Sequence, residues 1–271
     1  MGQRLNLCVD SCMRNEEKRS ELILTPEDVH ATDFVDDVMP LVVRNPGVNS
    51  APTELYLDHD GFRTSSVLES LKIARDKFMT QLNSDEGLEL KVSKSNVQVW
   101  TKETNDGFVL KSVWKVPYSA EIYMDYLKDI TQKINWDTNL EEAKLICNIS
   151  SDISICYQRY KRVIPVSPRD FIIASRLEQL PGTLFDISCS VDSPAYPPDN
   201  VVVRARLLFG GYYLETIPQD EDKNVTKVVS ISETDFGGNL PKNMVKSMAA
   251  LKMSTFVPAI DREIKKFLAK P

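Results

Sequence analysis

From about residue 88 to residue 234 the chain repeats one pattern: short runs rich in Val, Ile, Tyr and Phe, divided by gaps mostly too short to hold a crossover helix. Segments 88–92, 97–102 and 108–116 come first, separated by Ser95-Asn96 and Asn105-Asp106-Gly107, residues that accept the positive φ of hairpin turns. A helix is predicted from Ser119 to about Ile130. Further strands are expected at 141–148, 153–163, 169–178, 183–191, 201–209, 211–216 and 226–234. Strands joined this closely pair antiparallel, and the resulting sheet has a face that something must cover.

Two more helices frame the strands. One is predicted to start at Ser65 or Ser66 and close near Asn83, with Val67, Leu68, Leu71, Ile73, Ala74, Phe78 and Leu82 largely on one side. The other, 240–268, is the longest element and the only one long enough to lie across the concave face of the sheet. Asn239 can cap it, Pro241 sits in its first turn where a missing N–H costs nothing, and Gly237-Gly238 form the preceding turn. Met244, Val245, Met248, Leu251, Phe256, Ile260, Ile264, Phe267 and Leu268 recur at helical spacing, while Lys242, Lys246, Lys252, Arg262, Lys265 and Lys266 supply the polar side. Met244, Met248 and Met253 are adaptable side chains suited to a surface whose contents vary. Pro258 falls within the helix, where it removes a backbone hydrogen bond and is expected to kink the axis. The order of elements predicts an α+β fold, a curved antiparallel sheet around a long C-terminal helix with an internal apolar cavity.

Residues 1–60 differ in texture. A polar stretch centred on Glu16-Glu17-Lys18-Arg19 is followed by Pro26, Pro40, Pro46 and Pro52 with no sustained period, so an irregular or disordered extension is expected before a domain at 61–271. Gly2 follows the initiator Met and Cys8 lies near it, a candidate acylation pair, although Asn6 stands where the acylation pattern wants Ser or Thr. Five scattered cysteines suit free thiols in a reducing compartment, and Cys8 with Cys12 lacks the further ligands that zinc would need. No secretory signal or membrane-spanning run is visible, so a cytoplasmic protein, peripheral on a membrane at most, is expected. The formal net charge of −6 argues against a nucleic-acid partner.

Several short motifs then fall in register: Ile122-Tyr123-Met124-Asp125, Trp136-Asp137, Pro165-Val166-Ser167-Pro168-Arg169-Asp170-Phe171, Val203-Arg204-Ala205 and Gly237-Gly238-Asn239-Leu240-Pro241. In this order they resemble START domains, with a likeness to the phosphatidylcholine transfer protein branch over residues 66 to 268. The resemblance implies a helix-grip fold enclosing one lipid, with no covalent chemistry and no cofactor. It places Tyr123 at a headgroup-phosphate contact, and Lys133 and Asp137 where the family has a buried Arg/Asp pair. Lys133 keeps the cation without the planar two-point grip of arginine. The three ring positions of the choline cage fall on Gln158, Phe171 and Leu208, so one ring survives and phosphatidylcholine fits poorly. Ser175 stands at the arginine position of the acid–arginine pair in sterol-binding relatives; Arg176, one residue on, faces the other side of its strand. Arg204 is read as a lipid contact or as a buried guanidinium paired with an acid.

The expected ligand is thus a lipid, a glycerophospholipid ahead of a sterol, taken up by a monomer in transient contact with membrane surfaces. Catalysis is not expected, because His30 and His59 are the only histidines and Asp235-Phe236-Gly237 has no companion kinase motif. A lipid-gated regulator tethered by its N-terminus, a sterol carrier and an enzyme on the same fold stay open as alternatives.

Overall fold

The computed structural model describes residues 58–94, 96–162, 166–217, 225–238 and 242–269, without the side chains of 58, 59, 242–251 and 254. Gly2, Cys8, the whole acylation question and nearly all of the expected extension lie outside these residues, as do Asn239 and Pro241.

In chain order the elements are β1 (Asp58–His59), β2 (Phe62–Arg63), α1 (Thr64–Leu82), β3 (Glu89–Lys94), β4 (Val97–Glu103), β5 (Phe108–Val116) and α2 (Ala120–Lys128). A 3-10 turn at Ile130–Gln132 leads into the short α3 (Lys133–Trp136). Then follow β6 (Leu140–Asn148), β7 (Ile153–Tyr160), β8 (Arg169–Leu180), β9 (Thr183–Ser190), β10 (Val203–Arg204), β11 (Arg206–Ile217), β12 (Val225–Asp235) and α4 (Lys242–Leu268). The fold is α+β. Its main sheet runs β3-β4-β5-β12-β11-β9-β8-β7-β6, antiparallel throughout, with β10 added parallel to the start of β8.

Local chemistry explains the hairpins. Asn96 Oδ1 accepts from the backbone N–H of Lys115 at 3.0 Å, and its amide donates back to the Lys115 carbonyl, pinning the β3–β4 turn to β5. At the next turn Thr104 Oγ1 accepts from the Gly107 N–H at 3.0 Å, and the Thr104 N–H donates to the Gly107 carbonyl. Alternation then sets the faces: Val97, Val99 and Thr101 are buried while Gln98 between them is exposed.

The helices take opposite sides of the sheet. Val67, Leu71, Ala74 and Phe78, spaced four, three and four apart, form the buried stripe of α1, which packs on β8, β9, β11 and β12. Ile73, expected on that stripe, is exposed, and the helix begins at Thr64 without a side-chain cap, ahead of the expected serines. Its close at Asn83 falls where expected, the Asn83 N–H donating to the Met79 carbonyl. Arg75 of α1 pairs with Glu178 of β8 at 2.9 Å. Leu177, of opposite parity, lines the inner side, so α1 covers the convex face.

On the concave side α4 packs against β3, β4 and β5. Val257, Ile260 and Ile264 join Tyr123, Met124 and Tyr126 of α2 and Trp114, Leu184, Leu214 and Val228 of the sheet in one core. Each of these aliphatic side chains contributes about 1.5–3 kcal/mol by leaving water. The α4 assignment is continuous through Pro258, which is exposed. The carbonyl that this proline leaves without an N–H is thus freed on the outer side of the helix, where water can take it.

One strand differs from expectation. The sequence suggested a break at Gly210, between strands 201–209 and 211–216, but β11 runs through it without a turn. Gly211 has φ +149, and a Cβ there would lie 1.8 Å from the Asp186 carbonyl oxygen of β9. The glycine therefore permits close approach of two central strands. Gly211→Ala is expected to lower unfolding free energy by at least about 2 kcal/mol, or to prevent folding outright, as read by denaturant unfolding.

Candidate functional site

Between the concave sheet face, α4 and the α2–α3 connection lies a cavity of about 790 Å³, well inside the roughly 300–1,000 Å³ typical of small-molecule sites. Much of its wall is apolar, including Leu110, Ile153, Phe171, Ile173, Ile231 and Phe256.

A cluster of polar and charged groups interrupts that wall. The short α3 aims Lys133 inward, where its Nζ donates to Gln158 Oε1 at 2.7 Å; the Tyr160 hydroxyl donates to the same oxygen at 3.1 Å. Gln158 and Tyr160 share a face because β7 side chains alternate. From the opposite side α4 contributes Lys252, whose Nζ lies 3.0 Å from Asp137 Oδ1. The Asp137 side chain is only 2% exposed, so removing its lysine would leave a buried charge alone, at a cost of about 3–5 kcal/mol. Both lysines also rest on rings. Lys133 Nζ is 5.9 Å from the centroids of Trp136 and Tyr160, and Lys252 Nζ is 5.1 Å from Tyr160 and 4.5 Å from Phe256.

Burial pushes the Lys252 ammonium below its ordinary value, with Asp137 opposing that shift. For Lys133 burial acts in the same direction, but Tyr160, Tyr212 and Asp137 outweigh it and hold the proton more tightly than usual. Burial raises the Tyr212 hydroxyl to about 12. Deeper in the wall, burial pushes the Asp186 carboxyl up to about 7, against the pull of Lys133.

The structure brings together Lys133, Asp137, Gln158, Phe171 and Ser175 from the candidate residues; all line the cavity. Ser175 shares a hydrogen bond with Ser188 at 2.7 Å, while Arg176 turns away and pairs with Asp152 at 2.9 Å. Three candidates are corrected. Tyr123 is buried in the core beneath α4 and accepts a hydrogen bond from Trp114 Nε1 at 3.1 Å, away from the cavity. Arg204 grips Asp170 through two bonds of 2.8 and 3.1 Å at the junction of β8 and β10, the acid-paired guanidinium of its second reading in place of a lipid contact. Leu208 is not among the lining residues; an irregularity in the pairing of β11 with β12 between Leu207 and Phe209 leaves Leu207 facing inward instead. Met244 and Met248 lie on α4, with side chains outside the described residues.

Arg169 also has a structural role, donating to the carbonyls of Ser167, Phe236 and Gly237 and so joining the start of β8 to the end of β12.

Sequence reasoning missed Tyr160, Lys252, Asp186 and Tyr212. Lys252 stands four residues from Phe256 and eight from Ile260, a cation on the apolar stripe, which was the available signal. Asp186 interrupts β9 between Leu184 and Ser188 on one parity, with Phe185 and Ile187 buried on the other.

A START domain family profile matches residues 73–266. StAR-related lipid transfer protein 6 from Homo sapiens is 28% identical over 52% of this chain and 65% of its own length. START domain-containing protein 10 from Mus musculus is 26% identical over 68% of this chain, and here too 65% of the relative is spanned. The solved structure of human StAR-related lipid transfer protein 5 superposes with a TM-score of 0.67 at 22% identity, covering 75% of this chain and 98% of that one. That superposition establishes the shared fold.

Asp186 makes a pH prediction. The native state holds its proton up to about pH 7, whereas an unfolded chain releases it near 3.8, so this group's contribution to stability falls as pH rises through that interval. Asp186→Asn should therefore raise the melting temperature relative to wild type at pH 8 and show little difference near pH 4, as followed by thermal unfolding.

Proposed function

We propose that this chain, which belongs to the START domain family, encloses one lipid in its cavity and carries it between membranes without chemical conversion. The observation that supports this most directly is the composition of the cavity wall. Apolar side chains from sheet and helix form one part, and the Lys133–Gln158–Tyr160 and Lys252–Asp137 groups form the other. A molecule that is itself part hydrocarbon and part charged matches both regions. Each methylene buried against Ile173, Ile231 or Phe256 gains about 0.8 kcal/mol over water. Summed over a chain, that holds the lipid until the protein meets a bilayer.

The polar cluster favours an anionic headgroup. Lys252 is paired with Asp137 while Lys133 donates to the neutral Gln158, so as long as Asp186 holds its proton, below about pH 7, these groups carry one surplus positive charge beside the aromatic rings. A phosphate would balance it, with Lys133 and Lys252 donating from two sides. A glycerophospholipid is therefore the favoured ligand over a sterol, whose single hydroxyl would leave the surplus cation unanswered. The names of the relatives point to lipid transfer as well. None of the lining groups is a histidine, and no proton-transfer pair is required for carriage.

Native mass spectrometry of the purified chain should show one co-purified lipid per molecule, and labelled phospholipid should move between vesicles in its presence. Lys133→Met is the cleaner test of headgroup contact, because Asp137 keeps Lys252 and Gln158 keeps Tyr160. It is expected to weaken phospholipid retention about tenfold, the lower end for a lost charge-assisted hydrogen bond. Ser175→Trp, which projects an indole into the cavity, should abolish transfer while the protein still unfolds cooperatively. Transfer that persists at the wild-type rate in Ser175→Trp would remove the cavity from the pathway.

A further inference from the structure

The acids around the cavity differ in one respect. Asp137 is held by Lys252, Asp152 by Arg176, and Asp129 by Thr131 and Gln132. Asp186 lines the same cavity and, among the described residues, has no hydrogen-bond or ion-pair partner. An ionised carboxylate on a cavity wall without a donor is costly, and a protein normally supplies one. Here the position is also left open. On β9 Asp186 stands across from Leu177 of β8 and Tyr212 of β11, and all three line the cavity. On the same face of β11 as Tyr212, Gly210 stands opposite Ser188 on one side and Leu214 opposite Leu184 on the other, so on the Gly210 side β11 presents no side chain next to the carboxyl.

Charge points to what should fill the opening. Once an anion occupies Lys133 and Lys252, an ionised Asp186 is the uncompensated group, and Lys133, the cation that feels it, is already engaged with Gln158. A cation on the same ligand restores the balance. The kind of cation follows from the rings. A quaternary ammonium has no N–H and relies on several aromatic faces; of the lining rings Trp136, Tyr160 and Phe256 already have the protein's own lysines over them, and only one ring, Tyr212, stands across from Asp186 in the sheet. A primary ammonium needs an acceptor instead, and Asp186 is one.

Resting on the carrier reading above, we infer that Asp186 is the second pole of the lipid site, accepting hydrogen bonds from a primary ammonium on the headgroup of the bound phospholipid. The ligand class is a zwitterionic phospholipid whose phosphate meets the lysines and whose amine meets β9.

The test uses the full chain at pH 8, where Asp186 is ionised, and vesicles carrying phospholipids of identical acyl chains with phosphoethanolamine, phosphocholine or phosphoglycerol headgroups. Native mass spectrometry reads which lipid is taken up, and transfer rates read it independently. Wild type is expected to prefer phosphoethanolamine over phosphocholine about tenfold, and Asp186→Asn, checked for cooperative unfolding, to reduce that preference to less than about twofold. Equal uptake of the two by wild type, or a preference that survives in Asp186→Asn, overturns the inference and leaves the carrier reading intact. Uptake of phosphoglycerol equal to that of phosphoethanolamine assigns the donor to a hydroxyl and overturns the ammonium. Failure to take up any phospholipid overturns the carrier reading itself.

Discussion

A curled antiparallel sheet has more inner surface than one helix can cover, and the rest of this structure follows from that mismatch. An α-helix with its side chains is about 10–12 Å across, whereas the sheet path passes through nine strands from β3 to β6. Helix α4 packs on β3, β4 and β5, and its Val257, Ile260 and Ile264 complete a dense core there with α2. Toward β7, β8 and β9 the inner face meets the cavity instead. The convex face poses no such problem, because α1 lies flat on it with one apolar stripe.

Charged groups inside the protein fall into two kinds, told apart by their partners. Arg204 with Asp170, which is 3% exposed, and Arg169 with three backbone carbonyls are closed sets that join strand ends. They fix where β8, β10 and β12 meet and present nothing to the cavity beyond the flank of Arg169. Lys133, Lys252, Asp137 and Asp186 are a looser set that faces the cavity, with Lys133 bonded to Gln158, Lys252 paired with Asp137, and Asp186 without a hydrogen-bond or ion-pair partner among the described residues. Burying charge in this open form is unfavourable for stability alone. At Gly211 the side chain is absent to let β9 approach β11, and at Gly210 none projects from β11 next to Tyr212.

Much of the architecture was legible before any coordinates. Alternation and turn chemistry located the hairpins from β3 to β5, and the helical spacing of the last thirty or so residues marked the covering helix. The misreading of Gly210 as a break has a plain cause: glycine signals a turn and a close strand approach equally well. Tyr123 was misplaced for a related reason. On α2 it could face either the cavity or the core, and the choice depends on how α4 lies over it, which no local pattern encodes. Leu208 was misassigned because a pairing irregularity one residue long exchanges which side chain faces inward.

The sequence by itself determined the elements, the faces of most strands and the family, because these depend on periods of two or nearly four residues and on short motifs that survive in one dimension. Only the tertiary structure decided which polar residues meet. Lys133 and Gln158 are brought into contact from α3 and β7, and Lys252 reaches Asp137 across more than a hundred residues of chain. Asp186 looks like any strand acid until the fold places it on the cavity wall. Contacts of that range are set by packing of whole layers, and the energy of a buried charge depends on what surrounds it in space, which is why neither could be read from neighbours along the chain.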